Sequence, residues 1–556
     1  MKKRWISIIL SLIVLLSVLT GCSNTTSNTA ANSPTSDTGS DDSGSETSSG
    51  TSNEFHIGLD SDPPSFDPKD FNTTRAVLTG YNCYDTLLDF SEDGTQLEPA
   101  LAVSWEQKDD LTYVYQIRQG VKFSDGSDMT VDDVVFSLNR IKNPDTAASM
   151  NYLFESVDSF EKTGDWELTV KLKTPDSTWK YVPATSPCCI VSQKAVEAAG
   201  DKYGTAEGGS VGTGPYKFES WASGSEIILT KNEYWWGDKS TQLWDKVIYS
   251  VITDETARAL AAQSGQLDYV HHTTSATESI YNAIPDMNFF SYASTTSSFV
   301  ALNTAKAPFD DINLRKAVAY AIDKDAIAKS IGGTYAHVSG GVPMPDTMFY
   351  LDSEAWKKAD NETIEDYSYD LDKAREYMSK SNYANGVEVV LYTTATNKTL
   401  AEIIQSELKE IGITVTINEM LNSESYEISY GYKLDEDGNR LYDIYCTGWL
   451  SDYLDPIGYL KPFWSNKNIR AGGSNQAVYS NDEVEKLIDR SYLEADDQVR
   501  SDLMIQAFTL AAEDCPYVTL YDYDETYVLN KAYLYQEGPA FFWNFDLTDF
   551  KVFITE

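Results

Sequence analysis

Histidine and cysteine are scarce in this sequence of 556 residues, which contains four histidines and six cysteines. No histidine stands in ligand spacing with a cysteine, so the sequence gives little support for a structural zinc site. Apart from Cys22 the cysteines are odd in number and irregularly spaced, which argues against a framework of disulfides. The adjacent Cys188 and Cys189 are interpreted as small buried apolar residues. We therefore predict no metal site and no cofactor.

Basic residues are also few, with 43 Lys and Arg against 85 Asp and Glu and a net charge of −42. Nucleic acids attract proteins largely through basic side chains that neutralise phosphates, so nucleic acid is excluded as a partner. The acidic excess is typical of a surface that resists aggregation, and it also favours cationic ligands. The length exceeds what one hydrophobic core supports, so at least two lobes are expected.

Long hydrophobic runs are absent except at the N-terminus. There Lys2, Lys3 and Arg4 precede the apolar run Trp5–Leu19, and small residues stand directly before Cys22. The run is shorter than the roughly 20 apolar residues that a spanning helix needs. We interpret residues 1–21 as the signal peptide of a lipoprotein. Acylation of Cys22 would hold the chain on the outer face of the cytoplasmic membrane through a lipid anchor.

Residues 22–53 are the acylated cysteine and a tether. From Ser23 to Asn53 the sequence consists almost wholly of Ser, Thr, Asn, Gly, Asp and Ala, with no aromatic residue and little to bury. Such a composition predicts that the tether is flexible.

The sequence from Glu54 onward is typical of a mixed α/β protein. The runs Tyr113–Ile117, Trp166–Leu172 and Lys246–Ile252 are rich in residues that favour strands. They alternate with amphipathic helices. The capping-box spacing of Thr130 and Asp133 predicts the start of one of these helices.

A parallel βαβ unit is predicted in the second half. The strand-like run Val387–Tyr392 leads to a helix with a cap pattern at Thr399 and Glu402, and Gly412 ends that helix. The alternating run Ile413–Ile417 then forms the second strand. A parallel unit this late in the chain favours a second lobe with its own sheet.

A series of motifs follows in one order along the chain. They are DPPSFDP at Asp62–Pro68, the stretch Leu101–Arg140, GTGPYKF at Gly212–Phe218, NEYWWG at Asn232–Gly237, SGQLD at Ser264–Asp268, the stretch Ala307–Ile327 and GWLSDYLDP at Gly448–Pro456. Their order resembles that of the extracellular solute-binding proteins of family 5, which include the oligopeptide, dipeptide and nickel binders of ABC importers.

The resemblance implies an α/β fold of the two-lobed periplasmic-binding-protein type, in its large type II variety with three subdomains. Lobe I would comprise residues 54–297 plus 524–556, and lobe II residues 298–523, with a hinge and a ligand cleft between them. It also implies a monomer that is not an enzyme, captures short peptides, and works with the permease and ATPase subunits of an ABC transporter.

The resemblance places Asp452, in the loop after Gly448, where the family binds the α-ammonium of a peptide. An ammonium stripped of water in a closed cleft needs a carboxylate partner. Trp449 would form one wall of the pocket for the first side chain of the peptide. Gly448 and Ser451 would offer main-chain groups to an extended peptide. Asp455, which precedes Pro456, is interpreted as a solvated turn residue.

From lobe I the family pattern suggests that Asn72 and Thr73 approach the ligand, with Tyr81 nearby. No Arg or His stands in a position that predicts an anchor for a ligand carboxylate, so the length of the peptide stays open.

Other functions are compatible with the sequence. The same fold could bind a nickel chelate, haem, an oligosaccharide or an opine, and a receptor for peptide signals would have the same sequence features. An exported hydrolase would use a carboxylate pair such as Asp452 and Asp455 beside aromatic side chains. The sequence has no Gly-x-Ser-x-Gly or His-Glu-x-x-His motif to support catalysis.

Overall fold

The computed structural model describes residues 53–91, 94–271, 277–535 and 545–552. The predicted signal peptide, Cys22 and all of the tether except Asn53 lie outside these ranges. Within them, no helix is both long and apolar enough to cross a membrane.

The strands are β1 (Glu54–Leu59), β2 (Leu88–Phe90), β3 (Leu97–Pro99), β4 (Ala102–Asp109), β5 (Thr112–Ile117), β6 (Val157–Gly164), β7 (Glu167–Leu172), β8 (Tyr216–Ala222), β9 (Glu226–Lys231), β10 (Lys246–Val251), β11 (Tyr269–His271), β12 (Met287–Leu302), β13 (Ala336–Val338), β14 (Val387–Thr394), β15 (Ile413–Met420), β16 (Ile444–Leu450), β17 (Tyr517–Asn530), β18 (Tyr533–Tyr535) and β19 (Phe550–Val552).

The helices are α1 (Thr74–Gly80), α2 (Val131–Lys142), α3 (Gln193–Ala199), α4 (Glu255–Gln263), α5 (Glu278–Tyr281), α6 (Ile312–Ala321), α7 (Lys324–Ile331), α8 (Ser353–Lys358), α9 (Leu371–Lys380), α10 (Lys398–Lys409), α11 (Asn422–Ser429), α12 (Ile457–Trp464), α13 (Asp482–Leu493) and α14 (Asp497–Asp514).

The largest sheet has the strand order β15-β14-β16-β12-β17-β11-β1-β10-β9-β8, and β13 pairs with β17 beside this path. A separate four-stranded sheet has the order β4-β5-β7-β6. The long antiparallel strands β12 and β17 run through the middle of the large sheet. Their register shifts between the pairs Ala293–Asp524 and Ser297–Asp522.

The predicted βαβ unit is confirmed. Strands β14 and β15 are parallel, from Val387 opposite Ile413 to Thr394 opposite Met420, and α10 connects them. The predicted cap at Thr399 is wrong, because a turn of 3-10 helix over Ala395–Asn397 leads directly into α10 and places Thr399 inside it.

The predicted capping box of α2 is confirmed. The Asp133 carboxylate accepts hydrogen bonds from the Thr130 backbone N–H at 2.9 Å and from its hydroxyl at 2.8 Å. Three predicted strands, over 113–117, 166–172 and 246–252, correspond to β5, β7 and β10.

Several cores hold these elements together. One packs α6 and α10 against β14 and β15, with Leu314 and Ile404 fully buried. Another lies beneath β1 and β10, where the Phe55 and Trp244 rings stack with centroids 4.0 Å apart. Cys188 and Cys189 are buried free thiols, as predicted.

Candidate functional site

A cavity of about 940 Å³ lies where the middle of the large sheet meets the segments on either side of it. Its walls come from the start of α1, residues 149–155, the middle of β12 and β17, residues 447–450 of β16, and α12. Cavities of this size accommodate ligands as large as short peptides or drug molecules.

One edge of β16 faces the cavity without a neighbouring strand. The strand pairs with β12 from Ile444 to Leu450, but with β14 only at Ile444 and Tyr445. Beyond Tyr445, no other described strand pairs with the β14 side of β16. Residues 447–450 of this part of the strand line the cavity. Main-chain donors and acceptors are thus available to an extended ligand.

Asp452 lines the cavity just after β16. The hydroxyl of Tyr152 donates a hydrogen bond to its carboxylate. Asp452 is half-buried, and the protein packed around it deprives the charged carboxylate of hydration, which raises its pKa to about 7. Across the described ranges, no Lys, Arg or His forms an ion pair with Asp452. The cavity therefore presents a carboxylate whose charge has no cationic partner.

Asp455 does not share this setting, and the prediction of a solvated turn residue is wrong. Its side chain is fully buried, and Oδ2 forms an ion pair with Arg500 Nη2 of α14 at 2.8 Å. The other oxygen accepts from the Ile457 backbone N–H at 3.0 Å, at the start of α12. Asp455 therefore fixes the loop that carries Asp452, and its own carboxylate is occupied by Arg500 and the Ile457 N–H.

Trp449 and Gly448 also line the cavity. The Trp449 indole N–H donates to the Gly458 carbonyl at 2.9 Å, which fixes the ring against α12. A Cβ on Gly448 would lie 3.0 Å from the Ser297 carbonyl oxygen, so a side chain there would crowd β12. Ser451 does not line the cavity, since it is buried and its hydroxyl donates to the Tyr453 carbonyl at 2.8 Å.

Asn72 and Thr73, just before α1, also line the cavity. Thr73 caps α1, and its hydroxyl accepts from the Ala76 backbone N–H at 3.3 Å. Tyr81 does not reach the cavity. It follows the C-terminal end of α1, and its side chain is buried in the core beneath β1 and β10.

The structure adds cavity residues that the sequence did not reveal. Three basic residues line the cavity. Of these, Arg75 pairs with Asp60, and Arg470 pairs with Glu155 at 2.8 Å. The third is Lys461 of α12, which lies over the Tyr492 ring with its Nζ 4.1 Å from the ring centroid.

Lys461 forms no ion pair with any carboxylate in the part of the chain that is described. The local sequence around Lys461 and Arg470 carries no binding motif, so only the tertiary structure identifies them. The composition of residues 149–155 likewise gives no sign that Tyr152 reaches Asp452 in the loop after β16 or that Glu155 pairs with Arg470 beyond α12.

A cavity bordered by the central strands of a large mixed sheet and lined by both acidic and basic side chains defines a ligand-binding receptor of the periplasmic-binding-protein type. The model of the family "Bacterial extracellular solute-binding proteins, family 5 Middle" matches residues 96–471. The chain belongs to this family, whose members are the extracytoplasmic solute-binding components of ABC importers. The predicted family and its α/β fold are thereby confirmed.

Known relatives differ in what they bind. The chain is 28% identical over 472 residues to heme-binding protein A of Haemophilus influenzae, an alignment that covers 79% of this chain and 82% of the relative. It is 26% identical to the glutathione-binding protein GsiB of Salmonella typhi, in an alignment that covers 84% of this chain and 88% of the relative. Among solved structures, Helicobacter pylori DppA in complex with the peptide STSA has a TM-score of 0.77 at 25% identity, with 90% and 98% covered.

Proposed function

We propose that this protein captures short peptides at the outer face of the cytoplasmic membrane and delivers them to the permease of a peptide ABC importer, without catalysing a reaction. The observation that carries the proposal is Asp452, a cavity carboxylate for which the described residues supply no cationic partner. A peptide α-ammonium would supply the missing charge, and the charge-assisted hydrogen bond would be strong in a site shielded from water. The peptide bound by the similar H. pylori structure supports the same assignment.

The unpaired edge of β16 supports an extended peptide as the ligand. A bound peptide would add itself to the sheet beside Thr447 and Gly448, so that main-chain hydrogen bonds supply affinity independently of sequence. Trp449 and Tyr453, which line the same wall, would contact the first side chains.

Lys461 supports a ligand that carries both charges. Because Arg75 and Arg470 are engaged by acids, Lys461 is the cation that remains available for a ligand carboxylate among the described residues that line the cavity. Because Asp452 and Lys461 both line it, the cavity suits a short peptide with both termini free.

Closure of two lobes around the ligand is part of the proposal, with lobe I at residues 54–297 and 524–556 and lobe II at residues 298–523. The register shift of β12 and β17 lies at these boundaries, where the strands have a natural point to bend. The pairs Tyr152–Asp452 and Glu155–Arg470 would join the lobes in the closed form. A peptide that touches both lobes would favour this form.

The proposal is tested by calorimetric titration of the purified protein, unfolded and refolded beforehand to remove carried-over ligand. We expect binding of a mixed library of tri- to hexapeptides and loss of that binding when the peptides are N-acetylated. Amidation of the C-terminus should weaken binding of the preferred length in the wild type and have no effect in a Lys461→Met variant.

Haem, glutathione and a nickel–histidine complex serve as competing ligands in the same titration. If no unmodified peptide binds and one of the competing ligands binds saturably, peptide capture is refuted. Equal binding of acetylated and unmodified peptides would refute the role of Asp452 while leaving a peptide as the ligand.

The membrane attachment is a separate part of the proposal and rests on the sequence around Cys22. Cells fed labelled palmitate should incorporate the label into this protein. A Cys22→Ser variant should lose the label and appear in the culture medium. Retention of the label by the variant would show that the acylated residue lies elsewhere.

A further inference from the structure

Three tyrosines gather at the edge of the cavity and form what we call the tyrosine cluster: Tyr426 of α11, and Tyr430 and Tyr432 just after this helix. The ring centroids of Tyr426 and Tyr430 are 4.5 Å apart. Tyr426 and Tyr432 stack at 5.7 Å with an angle of 27° between their planes. These spacings are those of offset aromatic contacts.

The cluster is unusually exposed for aromatic side chains. Tyr426 is 52% exposed and Tyr432 is 57% exposed, while Leu421, directly before α11, is 68% exposed. Most large apolar side chains of the chain are instead buried in the cores. Stacked rings that stay open to solvent keep apolar faces available for another flat apolar group.

The cluster is continuous with the ligand cavity. Tyr426 and Tyr430 line the same cavity as Asp452. The Tyr430 carbonyl accepts from the Gly472 backbone N–H at 2.8 Å, which joins the cluster to the turn that carries Arg470. The ion pair of Arg470 with Glu155 ties this turn to the segment that holds Tyr152. A ligand anchored at Asp452 therefore has the tyrosine cluster within the same enclosure.

We propose that the tyrosine cluster is a subsite for a ring-bearing side chain, so that the preferred ligands are peptides with an aromatic residue or proline near the N-terminus. This inference rests on peptide capture as the proposed function. A surface that docks the permease would also use exposed tyrosines. Two of the three rings, however, line the cavity itself, and this position favours the ligand as the occupant.

The test is a positional scan with tetrapeptides of alanine, in which phenylalanine, proline or leucine replaces each residue in turn. At one position near the N-terminus, phenylalanine should strengthen binding about tenfold over alanine, because an aromatic contact adds to the burial of the side chain. Leucine should gain less. The gain should fall to about that of leucine in a Tyr426→Leu, Tyr430→Leu double variant, which replaces both rings that line the cavity, and it should persist in Tyr426→Phe, which keeps the ring.

Binding of the all-alanine tetrapeptide reports on folding and on the α-ammonium contact in every variant. Tyr369→Leu is the matched control, because Tyr369 is 45% exposed and does not line the cavity. A phenylalanine gain that survives in the double variant, or no gain at any position, would overturn the subsite while peptide capture stands. Failure of all tetrapeptides to bind the wild type would remove the proposed function and this inference together.

Discussion

Replacement of Asp452 by Asn weakens the binding of unmodified peptides by about 100-fold or more, if the carboxylate receives the α-ammonium as proposed. Removing one partner of a desolvated charge pair costs about 2–5 kcal/mol, much of it because the other charge is left unpaired. Asparagine preserves the shape of the side chain and can still accept from Tyr152, so the loss measures the charge. Calorimetric affinities of the variant and the wild type for one tripeptide give the comparison.

The pH dependence of binding gives a second measure of the same contact. Burial raises the pKa of Asp452 to about 7 in the unliganded protein, whereas a bound ammonium would lower it. Binding below pH 7 must therefore expel a proton, and affinity should fall by about tenfold per pH unit as the pH drops from 7. In the Asp452→Asn variant, peptide affinity should not fall in this way as the pH drops below 7. Asp372→Asn, at a fully exposed side chain, is the matched control and should leave both affinity and its pH profile unchanged.

Replacement of Arg500 by Met is expected to produce the largest loss of stability, about 3–5 kcal/mol in the free energy of unfolding. Both side chains of the Arg500–Asp455 pair are fully buried, so the variant would leave the Asp455 carboxylate charged and unpaired in the interior. Thermal and urea unfolding of wild type and variant measure the effect. Peptide affinity should fall as well, because Asp455 holds the loop that presents Asp452.

A double variant separates the loss of the pair from the loss of packing. Asp455→Asn combined with Arg500→Met removes both charges, so it should be more stable than Arg500→Met alone. The exposed pair of Arg375 with Asp372 supplies the control, and Arg375→Met should change stability by less than about 1 kcal/mol. An Arg500→Met protein as stable as the wild type would show that the buried pair contributes little to the fold.

Periodic patterns predicted the local elements well because those elements depend on neighbouring residues. The capped helix α2 and the parallel unit of β14, α10 and β15 follow from apolar spacing and turn residues alone. The family resemblance of the motif at 448–456 identified a segment that lines the cavity. Gly448 and Trp449 lie near the end of β16 and Asp452 lies just after it, so the three are together because they are close in sequence.

The rest of the site depends on tertiary contacts that no local pattern encodes. Tyr152 reaches Asp452 across 300 residues of sequence. Asp455 lies in the same loop as Asp452, yet it is buried because Arg500 of α14 packs beneath the loop. The family pattern suggested that Tyr81 lies near the ligand, but the direction in which α1 ends turns its ring into the core. These outcomes depend on how distant segments pack, which the spacing of residues does not specify.

The position of β17 has a consequence for the order in which the sheet forms. This strand joins the group from β15 to β12 to the group from β11 to β8. It pairs with β11 and β12, which both lie far earlier in the sequence. The two halves of the sheet therefore unite only after β17 has been made, and contacts between such distant segments form slowly. Pairing of β17 is accordingly expected to be a late step in folding.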